Sequence, residues 1–73
     1  MSLGFTFKEN YWCKSNAGTV IGFNQDEALN ACNADPQCMC VDYSRTGGKK
    51  YMGHSNGTAE PRSGWDLWVI TVI

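Results

Sequence analysis

The stretch that decides the fold is residues 24–43, NQDEALNACNADPQCMCVDY. Asn24 suits a helix N-cap, because its side-chain oxygen can accept from one of the backbone N–H groups that a helix start leaves unpaired. Glu27 follows three residues later, the spacing of a capping box. Asp26 and Glu27 put negative charge in the first turn, where the helix dipole favours it. The pattern predicts a helix running to about Asn33, with Ala28, Leu29 and Cys32 on one face and Gln25, Asn30 and Asn33 turned away. Asp35-Pro36 stops it, since proline cannot continue the hydrogen-bond ladder and pushes the preceding residue out of helical space. Cys38 to Ser44 then reads as a strand, with Met39, Val41 and Tyr43 on one face and Cys38, Cys40 and Asp42 on the other. A capped short helix, a sharp turn and a strand thus hold three of the four cysteines.

Strand patterns lie on both sides of this unit. Gly4 to Lys8 alternates through Phe5 and Phe7. Tyr11 to Cys13 continues it after an irregular Glu9-Asn10 step, with Tyr11 and Cys13 on one face and Trp12 on the other. Ser15-Asn16-Ala17-Gly18 is a turn cluster, and Thr19 to Phe23 is an extended lead into the helix. Downstream, Thr46-Gly47-Gly48 signals a hairpin and Lys49 to Met52 is its return strand. Gly53 to Gly64 is polar, carries Pro61, and reads as a long loop.

The last segment, Trp65 to Ile73 (WDLWVITVI), is the strongest strand signal. Trp65, Leu67, Val69 and Thr71 share one face, and Trp68, Ile70 and Val72 the other. Both faces are apolar. Such a strand is either central and covered on both sides, with any following chain trimmed away, or an edge that pairs with another copy.

The chain has 73 residues, room for a single domain over 1–73. A domain this small buries too little apolar surface to do without extra restraint, and its four cysteines are the natural source. Charged residues are only 18% of the chain and the formal net charge is −1, which argues against a nucleic-acid partner and against electrostatic docking to a membrane. Arg45, Lys49 and Lys50 read as a solvated hairpin tip. No run approaches the ~18 apolar residues of a membrane helix, so no membrane insertion is expected. The start, MSLGFTFKEN, carries no leader pattern. Cysteine density in a small domain nonetheless favours an oxidising, extracellular compartment. So does Asn56-Gly57-Thr58, an N-glycosylation acceptor pattern.

A short helix, Cys32-x5-Cys38, Val41 and Tyr43 on the next strand, a hairpin, a loop and a tryptophan-bearing last strand together resemble the PAN/apple domain family. The residues that carry the likeness are Ala31-Cys32, Asp35-Pro36, Cys38, Tyr43, Trp65 and Trp68, and it covers Cys13 to Val69. The resemblance implies an α+β fold, a small antiparallel sheet with one helix packed on it and stapled by disulfides. The chain departs from the family in three places. Ala28 stands where the family has a further helix cysteine, Tyr51-Met52 where that cysteine's partner is expected, and Val41 where an aromatic is common.

Four cysteines allow three pairings. Cys38 and Cys40, two residues apart on one strand face, sit roughly 6.5–7 Å apart at Cα, so a bond between them is strained. That leaves two pairings open. The family resemblance implies Cys32–Cys38, and with it Cys13–Cys40. Cys38-Met39-Cys40 is too tightly spaced for the Cys-x2–4-Cys hairpin of a structural zinc site. A Cys–His nucleophile pair using His54 needs a base, an orienting group and an oxyanion hole, whereas His54, in its Gly/Ser/Asn loop, reads as a surface histidine. No enzymatic activity and no cofactor are expected.

The expected function is a non-catalytic binding module for carbohydrate or protein, as the resemblance implies. Flat rings stack on sugar faces and anchor protein interfaces, which singles out Trp12, Tyr43, Tyr51, Trp65 and Trp68, with His54, Asn56 and Arg62 supplying hydrogen bonds. The alternative is a self-assembling structural, filament or coat subunit, forming homo-oligomers through Trp65–Ile73.

Overall fold

The computed structural model describes residues 3–15, 18–47 and 50–72. The expected turn residues Asn16, Ala17, Gly48 and Lys49, and Ile73 at the end, lie outside these. Along the chain run β1 (Leu3–Lys14), β2 (Thr19–Gly22), α1 (Gln25–Ala34), β3 (Cys40–Ser44), β4 (Tyr51–His54) and β5 (Thr58–Val72). The strands form one antiparallel sheet in the order β1-β5-β3-β4-β2, and α1 packs against its β2-β4-β3 side. The architecture is therefore α+β, as expected.

The helix start follows its sequence. Asn24 is extended, and its Oδ1 accepts from the Glu27 N–H at 2.8 Å. Ala28 and Cys32 face the sheet and are buried, with Leu29 packed beside them. After the helix, Asp35 Oδ1 accepts from the Gln37 N–H at 2.9 Å, tightening the turn. Two disulfides close the unit, Cys32–Cys38 and Cys13–Cys40. Cys38 lies before β3 rather than within it, so it escapes the strand alternation expected for it and packs on the helix side.

The largest departure from expectation is Gly53–Gly64, expected as a loop. Only residues 55–57 connect β4 to β5, and the rest is strand. The polar residues mislead because this half of β5 pairs with β1 alone: its partners are Tyr11 to Lys14, and β3 reaches β5 only from Trp65 to Val69. Pro61 is tolerated because one edge of the strand is unpaired there.

The β1–β5 ribbon breaks register between Glu9 and Tyr11. Asn10 has φ 61° and Gly64 φ 87° at this bulge. Asn10 Oδ1 accepts from the Gly64 N–H and from Arg45 Nη2. A bulge bends its strand, and the distal half of the ribbon is fastened to β3 through Cys13–Cys40. Both faces of β5 are consequently covered from Leu67 to Ile70. Trp68 and Ile70 belong to the core under the helix with Ala28, Cys32 and Val41; Leu67 and Val69 join Cys13, Cys40 and Tyr11 on the other face. Trp65–Ile73 thus offers no free edge for self-assembly along Trp65–Val69, because β5 is an interior strand there. Among the described residues, no helix is long and apolar enough to cross a membrane.

Candidate functional site

The antiparallel register lays side chains on the helix face in two rungs. One runs Phe7–Trp68–Val41–Gly53 across β1, β5, β3 and β4; the next runs Asp66–Tyr43–Tyr51 across β5, β3 and β4. Neighbouring side chains on one face of a sheet are close enough for rings to touch. The Phe7 and Trp68 centroids are 5.2 Å apart, Tyr51 and Trp68 5.7 Å, and Tyr43 and Tyr51 stack at 4.4 Å. The rings line an open cleft of about 460 Å³ with Gln25, Arg45 and Asp66.

The polar end of the cleft is fixed by pairing. Arg45 Nη1 donates to Asp66 Oδ1 at 2.5 Å and Nη2 donates to Asn10 at 2.7 Å. Arg45 and Lys50 are both exposed, as expected, and Arg45 is in addition paired with Asp66 and Asn10. Tyr51 is partly buried, and burial, then the nearby Tyr43 and Asp66, raise its phenol above the ordinary 10.0. A protonated phenol keeps an O–H donor at the cleft wall throughout the neutral range.

Of the residues singled out from sequence, Tyr43, Tyr51 and Trp68 meet in this cleft. Trp12, Trp65 and Arg62 form a separate cluster. The two indoles are 5.5 Å apart, and the Arg62 guanidinium lies 4.3 Å from the Trp12 ring centre and 5.5 Å from that of Trp65. Phe7, Arg45, Asp66 and Gln25 are cleft residues that the sequence pattern did not single out. The sequence signal that could have found them is register: once β5 lies between β1 and β3, Trp68 must stand between Phe7 and Val41.

His54 is likewise not a surface loop residue. It ends β4, is 8% exposed, and bridges Ser15 and Asp42. Its Nδ1 is 2.5 Å from Ser15 Oγ and its Nε2 3.1 Å from Asp42 Oδ1. Asp42 is 1% exposed, and its Oδ2 accepts from the Cys13 N–H at 3.1 Å. A carboxylate only accepts, so the Nε2 hydrogen points at Asp42, and in the neutral ring Nδ1 accepts from the Ser15 hydroxyl. Serine, imidazole and carboxylate are in line, as in a hydrolase relay. Yet Asp42 is also anchored by the ribbon backbone, and the chain ties β1, β3 and β4 together beneath the ribbon.

Asn56 is exposed in the turn between β4 and β5. Gly57, at φ 143°, presses on the disulfide: a Cβ there would lie 2.6 Å from Cys13 Sγ. No family model, no curated protein and no solved structure matches the chain.

Proposed function

We propose that the chain is a non-catalytic binding module that takes a carbohydrate in the Phe7–Trp68–Tyr51–Tyr43 cleft. The observation that carries this reading is the cleft's composition: ring surfaces that can meet the apolar face of a pyranose, beside polar groups held at one end by the Arg45–Asp66 pair. Sugar recognition needs both, because a pyranose has C–H faces and hydroxyl edges. The amide of Gln25 and the phenols of Tyr43 and Tyr51 add hydrogen-bonding groups that serve either donor or acceptor hydroxyls.

Three further readings accompany this one. The four cysteines in disulfides support an extracellular location, since disulfides persist in oxidising compartments. Membership of the PAN/apple family is proposed on the sequence pattern Ala31-Cys32, Asp35-Pro36, Cys38 and Tyr43. The Ser15–His54–Asp42 chain is read as structural, because both acid and base are buried and it fastens the curled ribbon.

A glycan array tests the function. Wild-type protein should bind a defined set of glycans. Tyr43→Ala and Tyr51→Ala should each weaken binding by about tenfold or more, as loss of a central aromatic contact does, while Arg62→Ala should leave binding intact. Absence of glycan binding, or binding that survives both tyrosine substitutions, would overturn the assignment of the cleft. A protein ligand sensitive to the same substitutions would replace the carbohydrate with a peptide surface.

A further inference from the structure

We infer that Asn56 is an N-glycan acceptor and that the attached sugars lie along the ribbon groove toward Trp12. The inference rests on the extracellular reading above.

The acceptor requirements are met by the local fold. Asn56-Gly57-Thr58 spans the β4–β5 turn, and both Asn56 and Thr58 are exposed. Gly57 approaches the Cys13 sulfur too closely to admit a side chain, so glycine is the residue that fits the middle of the pattern. In the modification, Asn56 Nδ2 bonds to the anomeric carbon of the reducing-end N-acetylhexosamine of a lipid-pyrophosphate-linked oligosaccharide. The bond from that carbon to the pyrophosphate oxygen breaks, the lipid pyrophosphate leaves, and the amide gives up one proton to solvent.

What the glycan would meet is also fixed. Asn56 and Thr58 line a shallow groove of about 630 Å³ with Trp12, Lys14, Ser15 and Glu60. The register places Thr58 opposite Lys14 and Glu60 opposite Trp12, so the groove follows the outer face of the ribbon. From Asn56 to Glu60 is ~13 Å at the strand rise, roughly two to three sugar units, so the inner sugars span it and the first alone does not. At its far end Trp12, with Arg62 against its ring, offers an indole surface to a sugar face. Lys14 and Glu60, paired at 3.8 Å, flank the path with groups that hydrogen-bond hydroxyls. This groove is distinct from the cleft, which lies on the helix face of the sheet.

The test is expression of wild type, Asn56→Gln and Thr58→Ala through a eukaryotic secretory host. Intact mass is measured before and after enzymatic removal of N-glycans in heavy-oxygen water, which separates enzymatic release from spontaneous deamidation of Asn-Gly. Wild type should carry an N-glycan at residue 56, both variants none, and all three should hold two disulfides. Secreted wild type with two disulfides and no glycan would overturn the acceptor assignment and leave the extracellular reading standing; free thiols would instead overturn that reading. For the docking, the Trp12 indole N–H resonance of wild type should shift when the glycan is removed, while that of Trp68, on the other face, should not. An unmoved Trp12 signal would overturn the docked path.

Discussion

The two disulfides differ in what they hold, and removing them singly should separate their contributions. Cys13–Cys40 spans 27 residues of sequence and fastens the curled ribbon to β3; Cys32–Cys38 spans only 6 and fastens the helix end to the chain entering β3. In the chain-entropy account, a cross-link stabilises by removing loop freedom from the unfolded chain. Closing the longer loop contributes about 3.6 kcal/mol and the shorter about 2.3. A domain of this size is stable by roughly 4–11 kcal/mol, so the longer bridge is a large share of the total. The paired variants Cys13→Ala/Cys40→Ala and Cys32→Ala/Cys38→Ala should therefore both lose stability, the first by about 1 kcal/mol more. Urea unfolding followed by tryptophan fluorescence reads the difference as a lower midpoint, given similar slopes. If the helix pair proves the costlier, the loop-length reasoning fails. The packing of Cys32 against Ala28 and Val41 would then dominate over chain entropy.

Three other outcomes follow from named contacts. Tyr51 has its phenol raised by burial, Tyr43 and Asp66, so the folded state holds that proton more tightly than the unfolded one. The stability it contributes is fully present below about pH 10 and is lost as pH climbs through the raised value; Tyr51→Phe should flatten that alkaline loss in a pH series of thermal melts. His54→Ala should destabilise by about 3–5 kcal/mol, because it strands the buried Asp42 carboxylate with the Cys13 N–H as its remaining hydrogen-bond partner; a melting temperature close to wild type would contradict the buried relay. Asn24→Ala should cost about 1 kcal/mol by unpairing the Glu27 N–H, and Asn24→Ser should largely restore it, as measured by chemical denaturation.

What could be read in the sequence was whatever depends on neighbours a few residues apart. The N-cap at Asn24, the helix face Ala28-Leu29-Cys32 and the bulge after Glu9 are all local, and all appear where the pattern placed them. What failed depended on partners far along the chain. Thr58 to Gly64 has loop-like polarity, yet it is strand because β1 lies beside it. His54 sits among Gly, Ser and Asn in sequence, yet it is buried because the ribbon bends over it to reach Cys40. Arg45 is exposed as its hairpin position suggests, yet its pairing with Asp66, 21 residues away, has no local signal. The cleft was half legible for the same reason: Tyr43 and Tyr51 are hairpin partners, whereas Phe7 and Trp68 meet them only through the strand order.

The existence of a cleft follows from a mismatch between two elements. A helix of 10 residues is ~15 Å long, while five strands at ~4.8 Å spacing make a sheet about 19 Å wide before side chains are counted. The helix covers β2, β4 and β3, tied there by Cys32–Cys38. Trp68 and Ile70 of β5 reach the core beneath it, but Phe7 on the β1 edge is left uncovered. Phe7, on the uncovered side, is accordingly 52% exposed. On the opposite face the same shortage of cover is met by the ribbon folding back on β3. That solution is closed to the helix face, because the bulge at Asn10 and Gly64 bends the ribbon the other way. Phe7 is therefore left half in solvent beside the buried Trp68, next to the Arg45–Asp66 pair at the bend. The bend that seals one face with a disulfide leaves the other open, so the open cleft and the ribbon closure are set by a single structural feature.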